Sequence, residues 1–439
     1  MADPTPPPWA GPGFDAARHA DRLSAALRGL PYVSDDNLAL HPVVVPRAAH
    51  DGYYAVVQRF VRLLERTCWE DEAGPFDLLE RLGVPRERHR LLTPDPRERA
   101  WAACMSRTDA VLSEGRLRIL ECNIGGAIGG PPHVRMMTDC HRAAFRGPDD
   151  SPLYDGPDPF AVRHELFARA LAEAGDEAGG VGLLGTMRDP DYPGTRFFDL
   201  EAEHLRSVGV PAEFLEPEQL VTSDGGVRRP VVLSHFMQLD WDRLGVDLAP
   251  VAEAVRRGAL LLAPESAFLL QNKTVLAWMS QGRPWMTDDE RAFVDRHLPW
   301  TRVVADEEVR YRGGTWQLPL LLRSRRDDFV LKPVSDYGGH GVVIGCEATD
   351  GEWRKRVDEA LQGGGHVVQE FVRQDSVVVS HYRRSASRRR EVSVRPVYGF
   401  NVFDGKPAGC LVRHAPDDAG GVVNAGLGAS INVLMHPAG

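Results

Sequence analysis

Four polar side chains fall close together in a segment that otherwise has the pattern of a β-hairpin. The segment, residues 106–130, is "SRTDAVLSEGRLRILECNIGGAIGG". Glu114-Gly115 is a turn signal with an apolar run on each side. A three-residue loop at 114–116 would place Ser113 opposite Leu117. The same register brings together, at one end of the hairpin, the polar residues Arg107, Asp109, Glu121 and Asn123.

Side chains alternate between the two faces of a strand, so this register puts the four polar residues on one face. The other face would carry into a core the apolar residues Ala110, Leu112, Leu120 and Cys122. The carboxylates of Asp109 and Glu121 and the amide oxygen of Asn123 suit Mg²⁺, which retains water and shares phosphate oxygens. The alternative is a solvated sheet face with two cross-strand pairs. A magnesium site of this kind requires a phosphate-binding element elsewhere in the chain.

A lysine before a glycine-rich loop is the candidate for that element. Lys332 ends an apolar run and precedes "PVSDYGGHG", with glycines at 338, 339 and 341. Glycine permits positive φ and close backbone approach, and successive N–H groups can bind an anion. The loop is not a Walker A motif, because no Gly-Lys-Ser/Thr follows. The alternative is a glycine-rich hairpin turn beside a surface lysine.

A second lysine and a buried strand complete the candidate residues. Lys273 lies in "LLQNKTVLAWMS", a segment predicted to be helical, where a lysine more often extends toward solvent than binds a ligand. The run "HVVQEFV", residues 366–372, is predicted to be a buried strand.

The elements around these motifs indicate a mixed fold. Apolar residues have helical spacing in residues 14–30, 50–82 and 160–174. From residue 179 onward, a strand–helix–strand rhythm predicts a small parallel α/β unit. Residues 393–413 are predicted to form a hairpin that turns at Asp404-Gly405.

Composition excludes several classes of protein. A chain of 439 residues is expected to form about two or three domains, and 43% hydrophobic and 26% charged residues are ordinary for a globular protein. A net charge of −10 argues against general nucleic-acid binding. No apolar run reaches about 18 residues, so no membrane span is expected. Six cysteines without a CxxC pair are typical of a reduced, cytoplasmic protein.

In their order along the chain, these motifs resemble the ATP-grasp superfamily, and more narrowly the synthetase domain of glutathionylspermidine synthase. That branch is permuted, so its metal ligands precede its nucleotide-binding lysines. Arg107-Thr108-Asp109 and Glu121-Cys122-Asn123 have the spacing of the branch, and "VYGFNVFDGKPAGCLVR" resembles the end of its domain. The resemblance covers residues 50–439.

The resemblance implies an α+β fold of the permuted ATP-grasp type with a small parallel pre-ATP-grasp unit. The implied division is a Pro-rich lead-in at 1–13, a helical region with the metal-site hairpin at 14–150, an α/β domain at 151–262 and nucleotide-binding lobes at 263–439. The lead-in lacks the charge and apolar core of a secretion signal, so an extended or disordered segment is expected.

The resemblance also implies residue roles. Mg²⁺ would be held by Asp109, Glu121 and Asn123. ATP phosphates would meet Lys273, Lys332 and the loop glycines Gly338, Gly339 and Gly341. Adenine would meet Gln369, Glu370 and Val372. Arg107 would face an acyl phosphate.

The implied activity is an ATP- and Mg²⁺-dependent carboxylate–amine ligase that acts on a peptide or amino acid. A phosphotransferase and a non-catalytic ATP-binding protein are the alternatives, and a homodimer is an option because dimers are common in the superfamily. The family's glycine loop has an arginine where this chain has Tyr337, and His340 is a partial substitute. After Glu121-Cys122-Asn123, "IGGAIGGPP" stands where the family has a different turn. We expect this segment to shape the acceptor or acyl pocket, which leaves the substrate open. The sequence shows no amidase domain.

An arginine-rich segment, "YRRSASRRRE" at residues 382–391, has two interpretations. It is either a mobile, solvated loop or a lid that closes over ATP or an anionic substrate, with Arg383 or Arg390 reaching phosphate.

Overall fold

The computed structural model describes residues 8–11, 13–34, 36–70, 73–336, 338–415, 423 and 428–439. Its helices are α1 Ala16–Leu27, α2 Arg47–Cys68, α3 Pro75–Arg81, α4 Arg97–Ala100, α5 Pro131–Ala144, α6 Pro159–Ala174, α7 Arg196–Ser207, α8 Gln238–Leu244, α9 Ala249–Arg256, α10 Ala267–Leu270, α11 Lys273–Gln281, α12 Asp288–His297, α13 Leu318–Ser324 and α14 Asp350–Gly363.

The strands are β1 Asn37–Ala39, β2 Val43–Val44, β3 Met105–Ser113, β4 Arg116–Ile124, β5 Tyr154–Asp155, β6 Val181–Leu184, β7 Ala212–Leu215, β8 Val231–Ser234, β9 Leu260–Leu262, β10 Thr301–Val303, β11 Glu308–Tyr311, β12 Gly314–Gln317, β13 Phe329–Pro333, β14 Val343–Ile344, β15 His366–Glu370, β16 Val377–Arg383, β17 Arg388–Val394, β18 Val397–Phe403, β19 Lys406–His414 and β20 Ser430–Pro437. They form several separate sheets packed with helices, which confirms the predicted α+β class.

The largest sheet joins the predicted metal-site hairpin to the C-terminal hairpin. Its order is β2-β20-β19-β18-β3-β4, with β5 paired to β20. The pairing of β18 with β3 brings residues near 400 beside residues near 108. The predicted turn at Asp404-Gly405 is confirmed, and both residues have positive φ, 48° and 72°. This sheet is the floor of the candidate site.

The β3–β4 hairpin confirms the predicted polar pairs and corrects the loop. Asp109 pairs with Glu121, and Arg107 pairs with Asn123. The turn has two residues rather than three, so Ser113 pairs with Arg116 and not with Leu117. Glu114 and Gly115 have φ of 52° and 71°, as a two-residue type I′ turn requires.

A β-bulge reconciles the tight turn with the polar pairs. Ala110 pairs with Ile119 although Asp109 pairs with Glu121, so Leu120 is the extra residue. Ile119 therefore lies fully buried in the core, and the prediction that Leu120 occupies a core position was wrong. Ala110 and Cys122 are buried as predicted.

Two four-stranded sheets flank the floor. One has the order β7-β6-β8-β9, and all of its pairings are parallel, which confirms the predicted parallel α/β unit. The other has the order β10-β15-β13-β14 and is antiparallel. The glycine loop connects β13 to β14, as predicted. Where the chain divides into domains stays a prediction.

Two predicted helices are each interrupted. The segment 50–82 forms α2 and α3, because Gly74 and Pro75 begin a new helix there. Around Lys273, α10 ends before Asn272, whose side chain accepts a hydrogen bond from Thr274 N and caps α11. Lys273 is therefore the first residue of α11.

The arginine-rich segment forms the ordered hairpin β16–β17, which pairs with β1. Arg383 forms an ion pair with Asp36, and Arg389 with Glu391. These contacts contradict a mobile loop. In the described part of the chain, no helix combines the length and apolarity needed to cross a membrane.

Candidate functional site

A buried ion cluster lies on the polar face of β3–β4. Asp109 Oδ1 lies 3.2 Å from Arg107 Nε and 2.7 Å from Arg413 Nη2. Asp109 Oδ2 accepts a hydrogen bond of 3.1 Å from Asn123 Nδ2. Both oxygens of this carboxylate therefore have protein partners. Arg413 reaches it because β19 lies next to β18, which pairs with β3.

The two guanidinium groups keep Asp109 ionised. Burial alone would raise the pKa of its carboxyl, but Arg413 and Arg107 outweigh burial and lower the pKa to about 2. Arg107 is also held by a hydrogen bond to the carbonyl of Ile128. These contacts hold the ion cluster in a fixed position on the large sheet.

Glu121 and Asn123 are the more accessible oxygen donors beside this cluster. The Glu121 side chain is 31% exposed, against 5% for Asp109. Glu121 Oε2 lies 3.6 Å from Lys273 Nζ. Since Asn123 donates its amide hydrogens to Asp109 and to the Arg107 carbonyl, its amide oxygen is left to accept. The structure thus brings Lys273 to the predicted metal-site residues.

Lys332 is buried beneath the same hairpin. Its Nζ donates to the Leu120 carbonyl at 3.3 Å and to Gln369 Oε1 at 2.7 Å. The bulge makes this contact available, since an extra residue in a strand is left out of the ladder. Burial lowers the pKa of Lys332 to about 8. The two predicted lysines therefore approach β4 from different elements.

The glycine loop has the backbone that the sequence predicted. Gly338, Gly339 and Gly341 have φ of 69°, 81° and 69°. A Cβ on Gly341 would lie 2.7 Å from Pro333 Cγ, so a larger residue would displace the loop. Tyr337 lies outside the described residues. His340 lines a cavity at the site, and its substitution for the family's arginine stays a prediction.

The predicted adenine residues have other partners. Gln369 Nε2 donates to Thr301 Oγ1 at 3.1 Å. Glu370 accepts from Tyr311 Oη at 3.0 Å and from Arg312 Nη2 at 2.8 Å. Neither these two residues nor Val372 lines the two cavities described next, as far as the structure describes the chain. Their role in binding adenine stays a prediction.

Two cavities meet at Glu121 and Asn123. The larger, of about 560 Å³, also contains Arg107, Arg413 and Gly338. The smaller, of about 100 Å³, contains Lys273 and Asp336. Glu121 and Asn123 are in the walls of both. The predicted metal-site residues therefore lie between a small lysine-lined cavity and a large one.

The glycines after β4 allow the hairpin to approach the parallel unit. A Cβ on Gly126 would lie 1.9 Å from the Ser234 carbonyl oxygen at the end of β8. Residues 127–130 then line the larger cavity. The segment therefore lies in the wall of this cavity, and its role in a substrate pocket stays a prediction.

Sequence reasoning passed over two residues of this site. Arg413 was noted only as part of the C-terminal resemblance, and its contact with Asp109 depends on the order of the large sheet. Asp336 lines the smaller cavity, and its carbonyl accepts a hydrogen bond of 2.7 Å from Lys273 Nζ. Its position four residues after Lys332 was the signal available in the sequence.

Two of the three predicted metal ligands, Glu121 and Asn123, could bind a hard cation. Glu121 offers a carboxylate and Asn123 an amide oxygen, which are ligands that Mg²⁺ takes together with water and phosphate. Asp109 already has three protein partners, so its expected role is to position Glu121 and Asn123 rather than to bind the cation itself. Nowhere in the described chain do three or more His, Cys, Asp or Glu side chains form a metal-binding group. Any cation here would therefore complete its shell with substrate and water.

Comparison with known proteins adds a fold-level similarity. No protein-family model matches the chain, and no curated protein matches it. Among solved structures, a glutathione synthetase-like effector from Globodera pallida, in its apo form, matches with a TM-score of 0.56 and 12% identity. The match covers 95% of this chain and 96% of that one.

A protein from Methylobacillus flagellatus KT, named as a gamma-glutamylcysteine synthetase, is 13% identical over 86% of this chain and 88% of its own. Its TM-score of 0.39 is below the level that indicates a shared fold. The similarity does not single out glutathionylspermidine synthase, and a permuted strand order does not follow from it. What it does show is that this chain shares, over nearly its whole length, the fold of the glutathione synthetase-like effector.

Proposed function

We propose that the protein is an ATP- and Mg²⁺-dependent carboxylate–amine ligase with an ATP-grasp fold of permuted order. ATP would phosphorylate a substrate carboxylate, giving ADP and an acyl phosphate. An amine would then attack the acyl carbon, form the C–N bond, release phosphate and lose a proton. The substrates would be peptides or amino acids.

One observation carries this proposal. Lys273 from α11 and Lys332 from β13 both reach β4 where Glu121 and Asn123 stand between two cavities. Positive and negative groups from distant parts of the chain converge there, as expected where phosphate and a cation are bound together. A solvated sheet face would not bury a lysine as completely as Lys332 is buried.

The residues would divide the chemistry. Bound Mg²⁺, held by Glu121 and Asn123, would offset charge on the phosphates. Lys273 and Lys332 would contact phosphate oxygens, and the glycine loop would offer backbone N–H groups. Arg107, oriented by Asp109 and Ile128, would face the acyl phosphate. Such fixed charges stabilise a transferring phosphoryl group without reorganisation.

The proposal is tested by ADP release with ATP, Mg²⁺ and pooled carboxylates, with and without pooled amines. Glutathione, spermidine and short peptides belong in the pools, and products are identified by mass. We expect ADP only when both pools are present, and a product lighter by one water than its two precursors. A phosphorylated product without dependence on amine would instead indicate a kinase.

Replacing Lys332 with Met should weaken ADP binding by about ten-fold or more, because a charge-assisted contact to phosphate is lost. Met retains the length and removes a buried charge, so the fold should persist. Isothermal titration with ADP and Mg²⁺ measures the effect. Lys355→Met is the matched control, since this exposed lysine on α14 forms an ion pair with Glu359. Equal ADP affinity in Lys332→Met and wild type would contradict the assignment.

A further inference from the structure

Part of the larger cavity has an acidic wall that the proposed chemistry does not use. Asp189 and Asp191 lie in the loop after β6, and Asp240 lies in the first turn of α8. All three line the cavity that also contains Arg107, Glu121 and Asn123. We call these three aspartates the acidic wall.

The acidic wall is held in place by hydrogen bonds. Asp189 Oδ1 accepts from the backbone N–H of Asp191 at 2.9 Å. Asp191 Oδ2 accepts from Tyr32 Oη at 2.9 Å, which ties the loop to an N-terminal segment. Asp240 Oδ2 accepts from the backbone N–H of Met237 at 3.4 Å. The loop after β6 and helix α8 therefore form this wall, and Tyr32 from an N-terminal segment helps to hold it.

The wall carries excess negative charge. Burial raises the pKa of Asp240 to about 6, and the carboxylates of Asp189 and Asp191 add to this effect against the lowering effects of the Met237 N–H and Arg243. Burial also raises the pKa of Asp189. Because the carboxylates of Asp189 and Asp191 repel that of Asp240, a cation in the cavity would relieve this repulsion.

An independent observation also indicates a hydrogen-bond donor as ligand. His133 lines the same cavity and is 5% exposed, and its Nε2 lies 2.8 Å from the Pro31 carbonyl. Nε2 therefore carries the hydrogen, and Nδ1 of the neutral ring is an acceptor. This buried Nδ1 has no partner among the described residues.

The ring of His133 is neutral at physiological pH. Burial and the nearby Arg107 lower its pKa to about 4, although the hydrogen bond to Pro31 acts in the opposite direction. His133, whose Nδ1 has no donor among the described residues, is thus bonded to Pro31, the residue before Tyr32, and Tyr32 binds Asp191. The acidic wall and the Nδ1 atom of His133 both favour a ligand that donates hydrogen bonds.

We propose that Asp189, Asp191 and Asp240 bind a protonated amino group of a substrate. The proposal rests on the ligase function and narrows its substrate class. Carboxylates stabilise the ammonium form, and an ammonium ion cannot attack an acyl carbon. The bound amino group is therefore not the nucleophile, and the substrate carries an ammonium group in addition to its reacting carboxylate or amine.

Direct binding tests this wall separately from catalysis. The probe is 1,5-diaminopentane, with its mono-N-acetyl and di-N-acetyl derivatives as matched compounds of lower charge, titrated calorimetrically into the full-length protein without ATP. Wild type should bind the diamine, bind the monoacetyl compound more weakly and fail to bind the diacetyl compound. Asp189→Asn/Asp191→Asn and Asp240→Asn should each weaken diamine binding by about ten-fold or more.

Asp224→Asn, in an exposed turn of the parallel unit, is the control and should bind as wild type does. Thermal unfolding establishes that each variant is folded, and the isosteric change retains the Asp191 N–H and Tyr32 contacts. Absent diamine binding, or equal binding by all variants, would overturn the proposal. Because no ATP is present, this result is independent of ADP release. If no ADP is released but the variants of the acidic wall still weaken diamine binding, the result contradicts the ligase assignment alone.

Discussion

Glu121→Gln should reduce the rate of ADP release by about 100-fold or more, the range seen when one fixed electrostatic contact to a transition state is removed. Glutamine has the shape of glutamate but not its charge. The variant therefore removes the carboxylate beside Lys273 that is proposed to bind Mg²⁺. Since Glu121 is 31% exposed and its side chain makes no buried hydrogen bond to any described residue, the unfolding midpoint should not change. Steady-state kinetics and thermal unfolding measure the two effects.

Glu114→Gln provides the matched control on the same hairpin. Glu114 lies in the exposed turn, and its backbone N–H, not its side chain, is bonded to Asp375. This variant should retain wild-type kinetics. Full activity in Glu121→Gln would contradict both the metal-site assignment and the use of β4 as the site.

Asp109→Asn should lower the free energy of unfolding by about 3–5 kcal/mol, as expected when one partner of a buried ion cluster is removed. The variant would leave Arg107 and Arg413 buried without the carboxylate that now binds both. Chemical denaturation at neutral pH measures the loss. Asp306→Asn, at an exposed position in the connection between β10 and β11, should have no comparable effect.

The stabilising effect of Asp109 should depend on pH in a defined direction. Its folded-state pKa of about 2 lies below the value near 3.8 of an unperturbed aspartate. The folded state therefore binds the proton less tightly than the unfolded chain does, and stability is lost as pH falls from about 4 toward 2. Wild type should lose part of its stability over that range, and Asp109→Asn should lose less. Parallel losses in both proteins would show that other carboxylates dominate.

Local patterns explain what could be predicted. The alternation of β3 and β4 predicted that the four polar residues share one face, and three glycines after Lys332 predicted a loop with positive φ. The order of strands and helices after residue 179 predicted the parallel unit. Each of these inferences depends on hydrogen bonds or backbone preferences within a short stretch of chain.

Other features could not be predicted because they depend on distant packing. The bulge at Leu120 allows a two-residue turn at one end of the hairpin to coexist with the polar pairs at the other end. It also leaves the Leu120 carbonyl available to accept a hydrogen bond from Lys332. Arg413 reaches Asp109 only through the strand order of the large sheet.

The sequence by itself determined the chemical types at the site, their order and the elements that carry them, because spacing, periodicity and turn residues act locally. The tertiary structure alone decided which charges meet. It placed two arginines on Asp109, leaving Glu121 and Asn123 as the accessible oxygens. It also assembled the acidic wall from a loop and a helix, with Tyr32 of an N-terminal segment bonded to it. Such contacts depend on how sheets and loops close over long separations, and no local pattern encodes that.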